Sequence, residues 1–225
     1  MLLSAPMADG TERQVEAEAR RLAARIEAAG LPLRLLGGLA IRLHAAGNIH
    51  PALARSYADI DLVCTRKAGR EVSRFLVAAG YEANERFNAM NGSERMIFYD
   101  RPNARHIDVF VGGFRMCHAL PLTSRLDRDS PTLPLAELLL TKLQVVQLNA
   151  KDANDIIALL LDHEVAEDDD DTVNAAYILV DLGSSGCAIS DVCGNDRILD
   201  VGINIESAQG VIESGISSQR ETVGI

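Results

Sequence analysis

The spacing of apolar residues predicts an N-terminal helix, then a strand, a glycine turn and a second helix. Apolar residues recur every three or four positions through 15–29, and Gly30 follows them as a stop signal. The sequence Thr-Glu-Arg-Gln at 11–14 predicts a capping box at the start of this helix. The short apolar run at 33–36 ends in two glycines, and helical spacing resumes from 39 to 46.

Alternation and turn residues predict the strands of a small sheet. Acidic and apolar residues alternate through 59–64, which is typical of a strand with one polar face. Residues 67–79 have helical spacing and are followed by a glycine. The apolar segments 94–99 and 106–111 flank turn-forming residues at 100–103, so we expect an antiparallel hairpin there.

The C-terminal half changes from helical spacing to no sustained period. Apolar stripes predict helices over 134–148 and 152–163, and a further one over 172–181. From residue 181 onward there is no aromatic residue, Lys or Pro, and seven of the 17 glycines fall there. This composition indicates a weakly structured tail, or a shift of the reading frame near residue 181.

These elements together predict an α+β fold, in which a small mixed or antiparallel sheet with flanking helices is followed by further helices. We divide the chain into an N-terminal helix that packs on the core (1–30), the core itself (31–130), a helical C-terminal part (131–180) and the weakly structured tail (181–225).

Composition narrows the classes of function. The formal net charge of −10 disfavours non-specific binding of duplex nucleic acid and suits a chain that recruits divalent cations. The four cysteines form no Cys-x-x-Cys pair, and we expect Cys64 and Cys117, which flank apolar segments, to be buried free thiols. With neither a signal-peptide pattern nor a run of about 18 apolar residues, the sequence predicts a soluble, cytoplasmic protein.

Three acidic residues are the sharpest chemical feature. Asp59 and Asp61 lie two positions apart on a predicted strand, so their carboxylates point to the same face. Each resists ionisation beside the other, and a divalent cation with a preference for oxygen, Mg²⁺ or Mn²⁺, relieves the repulsion. Alone, the pair could equally be solvated surface residues. Asp108, between two apolar residues of another strand, is costly to bury unless something pairs with it, and beside Asp59 and Asp61 it would complete a metal-binding cluster.

Gly37 and Gly38 stand where the first strand meets the second helix. Glycines at such a junction let the backbone approach a ligand, and free amides at a helix N-terminus attract phosphate. Taken alone, the pair could be only a tight turn.

In this order, the features resemble the nucleotidyltransferase superfamily with the polymerase β-type palm: a strand ending in Gly37-Gly38, then Asp59-x-Asp61, then Asp108. The gap between Gly38 and Asp59 is longer than is usual in that family. The resemblance covers residues 31–160 and implies transfer of a nucleoside monophosphate from a nucleoside triphosphate to a hydroxyl group, with release of pyrophosphate. It also implies that the three aspartates hold two Mg²⁺ or Mn²⁺ ions, that Asp108 accepts the hydroxyl proton, and that the glycine amides hold phosphate.

A second motif is similar to toxin-type members of the superfamily, the AbiEii group. These carry Lys-Leu on a helix and then a basic residue followed by Asp-x-x-Asp, which here are Lys142-Leu143 and Lys151-Asp152 to Asp155. By this resemblance Lys142 contacts the triphosphate and Asp155 supports the nucleotide site. The alternatives are that Lys142 is a solvated helix residue and that Asp152 is only the N-cap of its helix.

For other polar residues, the evidence for a role in the functional site is weaker. His106 lies on the same strand face as Asp108 and could orient a carboxylate, although a single histidine near a site is usually incidental. Arg55 is either a triphosphate contact or a solvated loop residue. His44 and His50 show no spacing typical of metal ligands.

The sequence does not identify the acceptor, because enzymes that modify small molecules and toxin-type enzymes that act on RNA or protein share this core. A toxin-type enzyme would also have an antitoxin as a candidate partner. Two other functions compete with the transferase: a non-catalytic binding module with the same fold, and a metal-dependent nuclease that uses water as its nucleophile. The presence of all three aspartates favours catalysis, and a nuclease has no use for the Gly-Gly turn.

Overall fold

A five-stranded mixed sheet with helices packed around it forms the centre of the protein, as described by a computed structural model for residues 11–45, 50–115, 119–145 and 149–178. In chain order the elements are α1 (Val15–Ala29), β1 (Leu33–Leu36), α2 (Gly37–His44), β2 (Asp59–Cys64), α3 (Gly69–Ala78), β3 (Glu82–Ala83), α4 (Glu85–Asn91), β4 (Arg95–Asp100), β5 (Arg105–Val111), β6 (Phe114–Arg115), β7 (Ala119–Leu120), α5 (Leu135–Leu143), α6 (Ala150–Asp162), β8 (Val165–Ala166) and β9 (Val173–Asn174). The predicted α+β fold is confirmed.

The strand order of the main sheet is β1-β2-β5-β4-β3. Strands β2 and β5 are parallel, and every other pair in the sheet is antiparallel. A parallel pair requires the chain to leave the sheet and return, and here the return path contains α3, β3, α4 and β4. The predicted antiparallel hairpin is confirmed as β4 and β5.

The two faces of the sheet differ in polarity, as the alternating pattern of β2 requires. Residues of one face are fully buried in the hydrophobic core together with the apolar sides of α1 and α3. From β2, β4 and β5 these residues are Ile60, Leu62, Phe98, Ile107 and Val109. The opposite face presents the acidic residues of β2 and β5, and helices α2, α5 and α6 pack against one another beside it.

Helix α1 ends as expected but does not begin as expected. Gly30 caps it in the left-handed conformation, with φ of 62°. The predicted capping box is wrong, because Gln14 occupies the N-cap position without a side-chain cap and Thr11 donates its hydroxyl hydrogen bond to buried Asp100 at 2.8 Å. A long-range partner that the local sequence does not reveal has replaced the local cap.

Several other boundaries differ from the prediction. Strand β3 and helix α4 were not predicted, and α4 has no buried residue whose spacing could have indicated a helix. Within the predicted helix over 172–181, residues 173–174 form strand β9, paired in parallel with β8, and residues 175–178 are helical. Helix α6 is capped by the Asn149 side chain, so the interpretation of Asp152 as the N-cap is wrong. The tail predicted for 181–225 lies outside the described residues.

The prediction of a buried free thiol is confirmed for Cys64, and burial raises its pKa to about 12. Cys117 lies outside the described residues. Among the helices that the structure describes, none has the length and apolar character needed to span a membrane.

Candidate active site

The three predicted aspartates lie side by side on one face of the main sheet. Asp61 pairs directly with Asp108 across the parallel strands β2 and β5, and Asp59 pairs with His106. Directly opposite residues of neighbouring strands share a face, so Asp59, Asp61 and Asp108 form one acidic cluster. Asp59 is exposed, Asp61 is half-buried and Asp108 is buried, so the cluster runs from solvent into the protein.

The ionisation of Asp61 reflects this crowding. Burial, together with the negative charges of Asp108 and Asp59, raises the pKa of Asp61 to about 6, although Lys142 and Arg95 act in the opposite direction. Two nearby cationic side chains therefore do not fully compensate the negative charge. A divalent cation held by oxygen atoms would supply the missing positive charge, so this donor set fits Mg²⁺ or Mn²⁺.

Gly37 lets the backbone approach the acidic cluster. Its φ is +74°, and a Cβ atom built on it would lie 2.7 Å from Oδ2 of Asp61. Gly38 lies in equally close quarters, because a Cβ atom there would be 2.5 Å from Oδ2 of Asp155 and would overlap the Arg55 guanidinium. Both glycines are thus required by the charged groups beside them and not only by the turn.

Asp155 joins two cations from distant parts of the chain. Arg55 donates to both of its carboxylate oxygens at 2.8 Å, and Nζ of Lys142 lies 2.8 Å from Oδ2. Lys142 also contacts Asp152 at 2.8 Å. The Asp155 carboxylate is almost fully buried, so its geometry is that of a group that positions Arg55 and Lys142.

Neither cation is a solvated surface residue. The side chains of Arg55 and Lys142 are only 17% and 12% exposed, which excludes that alternative for both. The Arg55 guanidinium also stacks over the Tyr57 ring at 4.1 Å.

A cleft of about 520 Å³ opens beside the acidic cluster, and its lining includes Gly37, Asp61, Arg95, Lys142 and Asp152. The cleft therefore combines two carboxylates, a close backbone approach and three cationic side chains, the third being that of Arg115. The predicted site residues of β2, β5, α2 and α5 either line this cleft or lie next to residues that line it.

Arg95 is a site residue that the sequence analysis missed. Its Nε and Nη2 atoms lie 2.9 Å and 2.8 Å from Oδ1 of Asp108, and its side chain is 46% exposed. Arg95 pairs with Phe110 across β4 and β5, which puts it on the same face as Asp108. The sequence predicts the hairpin but not which residue of β4 pairs with which residue of β5. That pairing would have placed Arg95 beside Asp108.

His106 lies opposite Asp59 on the neighbouring strand, whereas His44 and His50 do not line the cleft. His106 is exposed and packs edge-to-face against Tyr99, with ring centroids 4.8 Å apart. His50 accepts a hydrogen bond from the Ala52 amide. His44 is the last residue of α2, at the end of the helix opposite to Gly37.

The chain was compared with known proteins and solved structures. Two solved structures are similar to the chain: the solution structure of the antibiotic-resistance factor ANT(2'')-Ia, at 13% identity, and a crystal structure of an antigenic nucleotidyltransferase-like protein from Paracoccidioides brasiliensis, at 16%. The first match covers 61% of this chain and 78% of the other with a TM-score of 0.41, and the second covers 84% and 100% with a TM-score of 0.42.

A search of curated proteins gave no match. The family model described as an uncharacterised nucleotidyltransferase matches residues 4–136, which is more than half of the chain and includes both glycines and all three aspartates. The chain therefore belongs to this family of uncharacterised nucleotidyltransferases.

Proposed function

We propose that this chain is an active, metal-dependent nucleotidyltransferase that transfers a nucleoside monophosphate from a nucleoside triphosphate to a hydroxyl acceptor. The acceptor oxygen bonds to the α-phosphorus, the bond from that phosphorus to the oxygen bridging to the β-phosphate breaks, and pyrophosphate leaves. The observation that carries the proposal is the direct pairing of Asp61 with Asp108 beside Gly37, in a cleft that Lys142 also lines.

In this proposal Asp59, Asp61 and Asp108 hold Mg²⁺ or Mn²⁺. The support is the uncompensated charge that raises the pKa of Asp61 to about 6. When bound, the metal ions stabilise the negative charge of the reacting phosphate and of the departing pyrophosphate. We assign the proton of the attacking hydroxyl to Asp108, because Asp108 pairs directly with Asp61, which lines the cleft.

The backbone and the basic side chains hold the triphosphate. The amides of Gly37 and Gly38 open helix α2 and are offered to phosphate oxygens. Lys142 and Arg95 line the cleft and bind phosphate by charge-assisted hydrogen bonds. Asp155 contributes indirectly, because it keeps Lys142 and Arg55 beside Gly38.

The acceptor is a hydroxyl on a small molecule, a protein or an RNA end. The net charge of −10 disfavours bulk RNA, because extended phosphate contacts require clustered Lys and Arg. A toxin-type acceptor would bring with it an antitoxin that binds the chain. We locate the reaction in the cytoplasm, where nucleoside triphosphates are available.

The test is incubation of the full chain with α-labelled ATP, GTP, CTP or UTP, Mg²⁺ and cell extract, followed by detection of transferred label. We expect label in an acceptor from the α-labelled nucleotide and none from the γ-labelled one. Asp59→Asn and Asp61→Asn should each lower the transfer by about a thousandfold, because several kcal/mol of charge stabilisation are lost.

Asp127→Asn is the matched control, since it removes an exposed carboxylate outside the cleft. Transfer that survives the Asp59→Asn, Asp61→Asn double substitution would overturn the site assignment. Absence of both label transfer and nucleotide binding would favour a non-catalytic module, and Mg²⁺-dependent cleavage of RNA or DNA without a nucleotide would favour a nuclease.

A further inference from the structure

Two histidines meet at the end of helices α2 and α6 that lies away from the acidic cluster. His44 is the last residue of α2, and His163 directly follows α6. Their rings pack edge-to-face with centroids 5.8 Å apart and an angle of 88° between the planes. Both side chains are largely buried, at 15% and 5% exposure, so this contact belongs to the interior and not to the surface.

Each histidine also faces a carboxylate. Nε2 of His44 lies 3.4 Å from Oδ2 of Asp129 and contacts the Thr132 hydroxyl. Nδ1 of His163 lies 3.4 Å from Oδ1 of Asp171. One ligand atom from each of His44, His163 and Asp171 lies within 4.8 Å of the others. Two imidazoles and the Asp171 carboxylate therefore converge, and the Asp129 carboxylate lies against the His44 imidazole.

We propose that His44, His163 and Asp171 form a second metal site, with Asp129 as its fourth group, which binds a Zn²⁺-class transition metal ion and is separate from the acidic cluster. Imidazole nitrogen with carboxylate oxygen is a donor set that suits Zn²⁺, whereas Mg²⁺ prefers oxygen alone. Bonds of about 2.0–2.2 Å place tetrahedral ligand atoms roughly 3.4 Å apart. The observed spacing reaches that geometry by side-chain movements of about 1 Å.

A cavity gives a metal ion access to these side chains. A cavity of about 540 Å³ is lined by His44, Asp129 and Asp171, so an ion can reach the group from solvent.

The position of this second site gives it a structural role. At one end of the α2–α6 pair Gly38 lies against Asp155, and at the other end His44 lies against His163. A metal ion between the histidines fixes the two helices to each other and to the segment that carries Asp171. It thereby holds Asp155, and with it Lys142, in place beside the cleft.

The experiment is a titration of the chelator-treated full chain with Co²⁺, a spectroscopic substitute for Zn²⁺, followed by displacement with Zn²⁺. With excess Mg²⁺ present to occupy the acidic cluster, we expect one equivalent to bind with the visible spectrum of a four-coordinate nitrogen and oxygen site. Asp171→Asn and His44→Gln should each weaken binding by at least about tenfold. The control His50→Gln removes a histidine outside the cluster and should leave binding unchanged.

Asp171 keeps the test decisive if a histidine variant does not fold, because its side chain is 79% exposed and its replacement disturbs no core. Asp61→Asn should still bind the Co²⁺ equivalent, which separates this site from the proposed catalytic one. The proposal is overturned if no stoichiometric Co²⁺ binds, if His50→Gln weakens binding as much as Asp171→Asn, or if sulfur-to-metal charge transfer shows that cysteines hold the ion.

Discussion

The charge of Asp61 is in an unfavourable position, because this side chain is half-buried beside two other carboxylates. Asparagine has nearly the same shape but no charge, so Asp61→Asn separates the electrostatic contribution from packing. Glu18 is a buried carboxylate of the opposite kind, since it accepts hydrogen bonds from Arg21, Tyr81 and the Glu12 amide. We therefore expect loss of the charge to have opposite effects on the stability of the fold at these two positions.

For Asp61→Asn we expect a melting temperature in the absence of Mg²⁺ that equals or exceeds that of the unsubstituted chain, because repulsion with Asp59 and Asp108 is relieved. Millimolar Mg²⁺ should raise the melting temperature of the unsubstituted chain and leave that of the variant nearly unchanged. Thermal unfolding with and without Mg²⁺ measures both effects. An equal Mg²⁺-dependent increase in the two proteins would contradict the metal assignment of Asp61.

For Glu18 we predict a loss of stability in acid. Burial opposes ionisation, but the hydrogen bonds from Arg21, Tyr81 and the Glu12 amide outweigh it and lower the pKa of Glu18. A lowered folded-state pKa stabilises the fold above the ordinary glutamate pKa, and this stability is lost as the pH falls through the folded-state value. Glu18→Gln should lower the free energy of unfolding at pH 7 by about 1–3 kcal/mol and reduce its dependence on acid.

Urea unfolding at pH 7 and in acid measures these differences. Glu27→Gln, an exposed glutamate of the same helix, is the control and should change little at either pH. If Glu18→Gln retained the acid dependence of the unsubstituted chain, Glu18 would not be its source.

At the scale of elements, the site depends on junctions between them. The strand-to-helix junction at Gly37 brings the backbone against Asp61, and the start of α6 brings Asp155 against Gly38 and Lys142. Periodicity and turn residues predicted β1, β2, β5 and α2, because these elements carry local patterns. The Arg55–Asp155 pair spans 100 positions and the Thr11–Asp100 hydrogen bond spans 89, and no local pattern encodes such contacts.

Gly37→Ala should destabilise the chain and also impair the site. Gly30 is the matched control, because its φ of +62° is similarly strained for alanine but a Cβ atom there would meet nothing within 4 Å. We expect each substitution to lower the free energy of unfolding by about 1–2 kcal/mol, and only Gly37→Ala to weaken Mg²⁺ binding and label transfer. Equal Mg²⁺ affinities in the two variants would show that Asp61 tolerates the added methyl group.

Lys142→Ala should weaken binding of an Mg²⁺–nucleotide complex by about tenfold, which corresponds to the loss of one charge-assisted hydrogen bond. Lys151→Ala removes an exposed lysine of α6 and should not alter the affinity. Titration with a fluorescent nucleoside triphosphate compares the two variants. Unchanged binding by Lys142→Ala would mean that this lysine serves only Asp152 and Asp155.

At the scale of the whole molecule, a single hydrophobic core joins α1, the sheet and α5 with α6. Buried Arg105 donates to the backbone carbonyls of Glu12 and Arg13, which fastens the segment before α1 to the hairpin. The α+β class was predictable because its patterns are local. The cleft was only partly predictable, because Arg95 and the partners of Asp155 enter it through register and tertiary packing.

The division of the chain into four parts predicts its response to protease. We expect brief trypsin treatment to cut first at Arg197 or Arg220, within the predicted tail, and to leave a product that contains residues 11–178. Mass spectrometry of the products identifies the first cut. A tail that survives longer than the described part would contradict the prediction of weak structure after residue 181.

The parallel pairing of β2 with β5 also bears on how the family can diverge. The chain between these strands makes an excursion through α3, β3 and α4 and then returns to the sheet as β4, and β3 forms an outer edge of the sheet. Insertions or deletions in this excursion leave the alignment of Asp61 with Asp108 intact, whereas a one-residue slip of β5 turns Asp108 to the apolar face. We therefore expect relatives to vary in length here and to keep the spacing within both strands fixed, so that the chain can diverge without moving Asp59, Asp61 and Asp108.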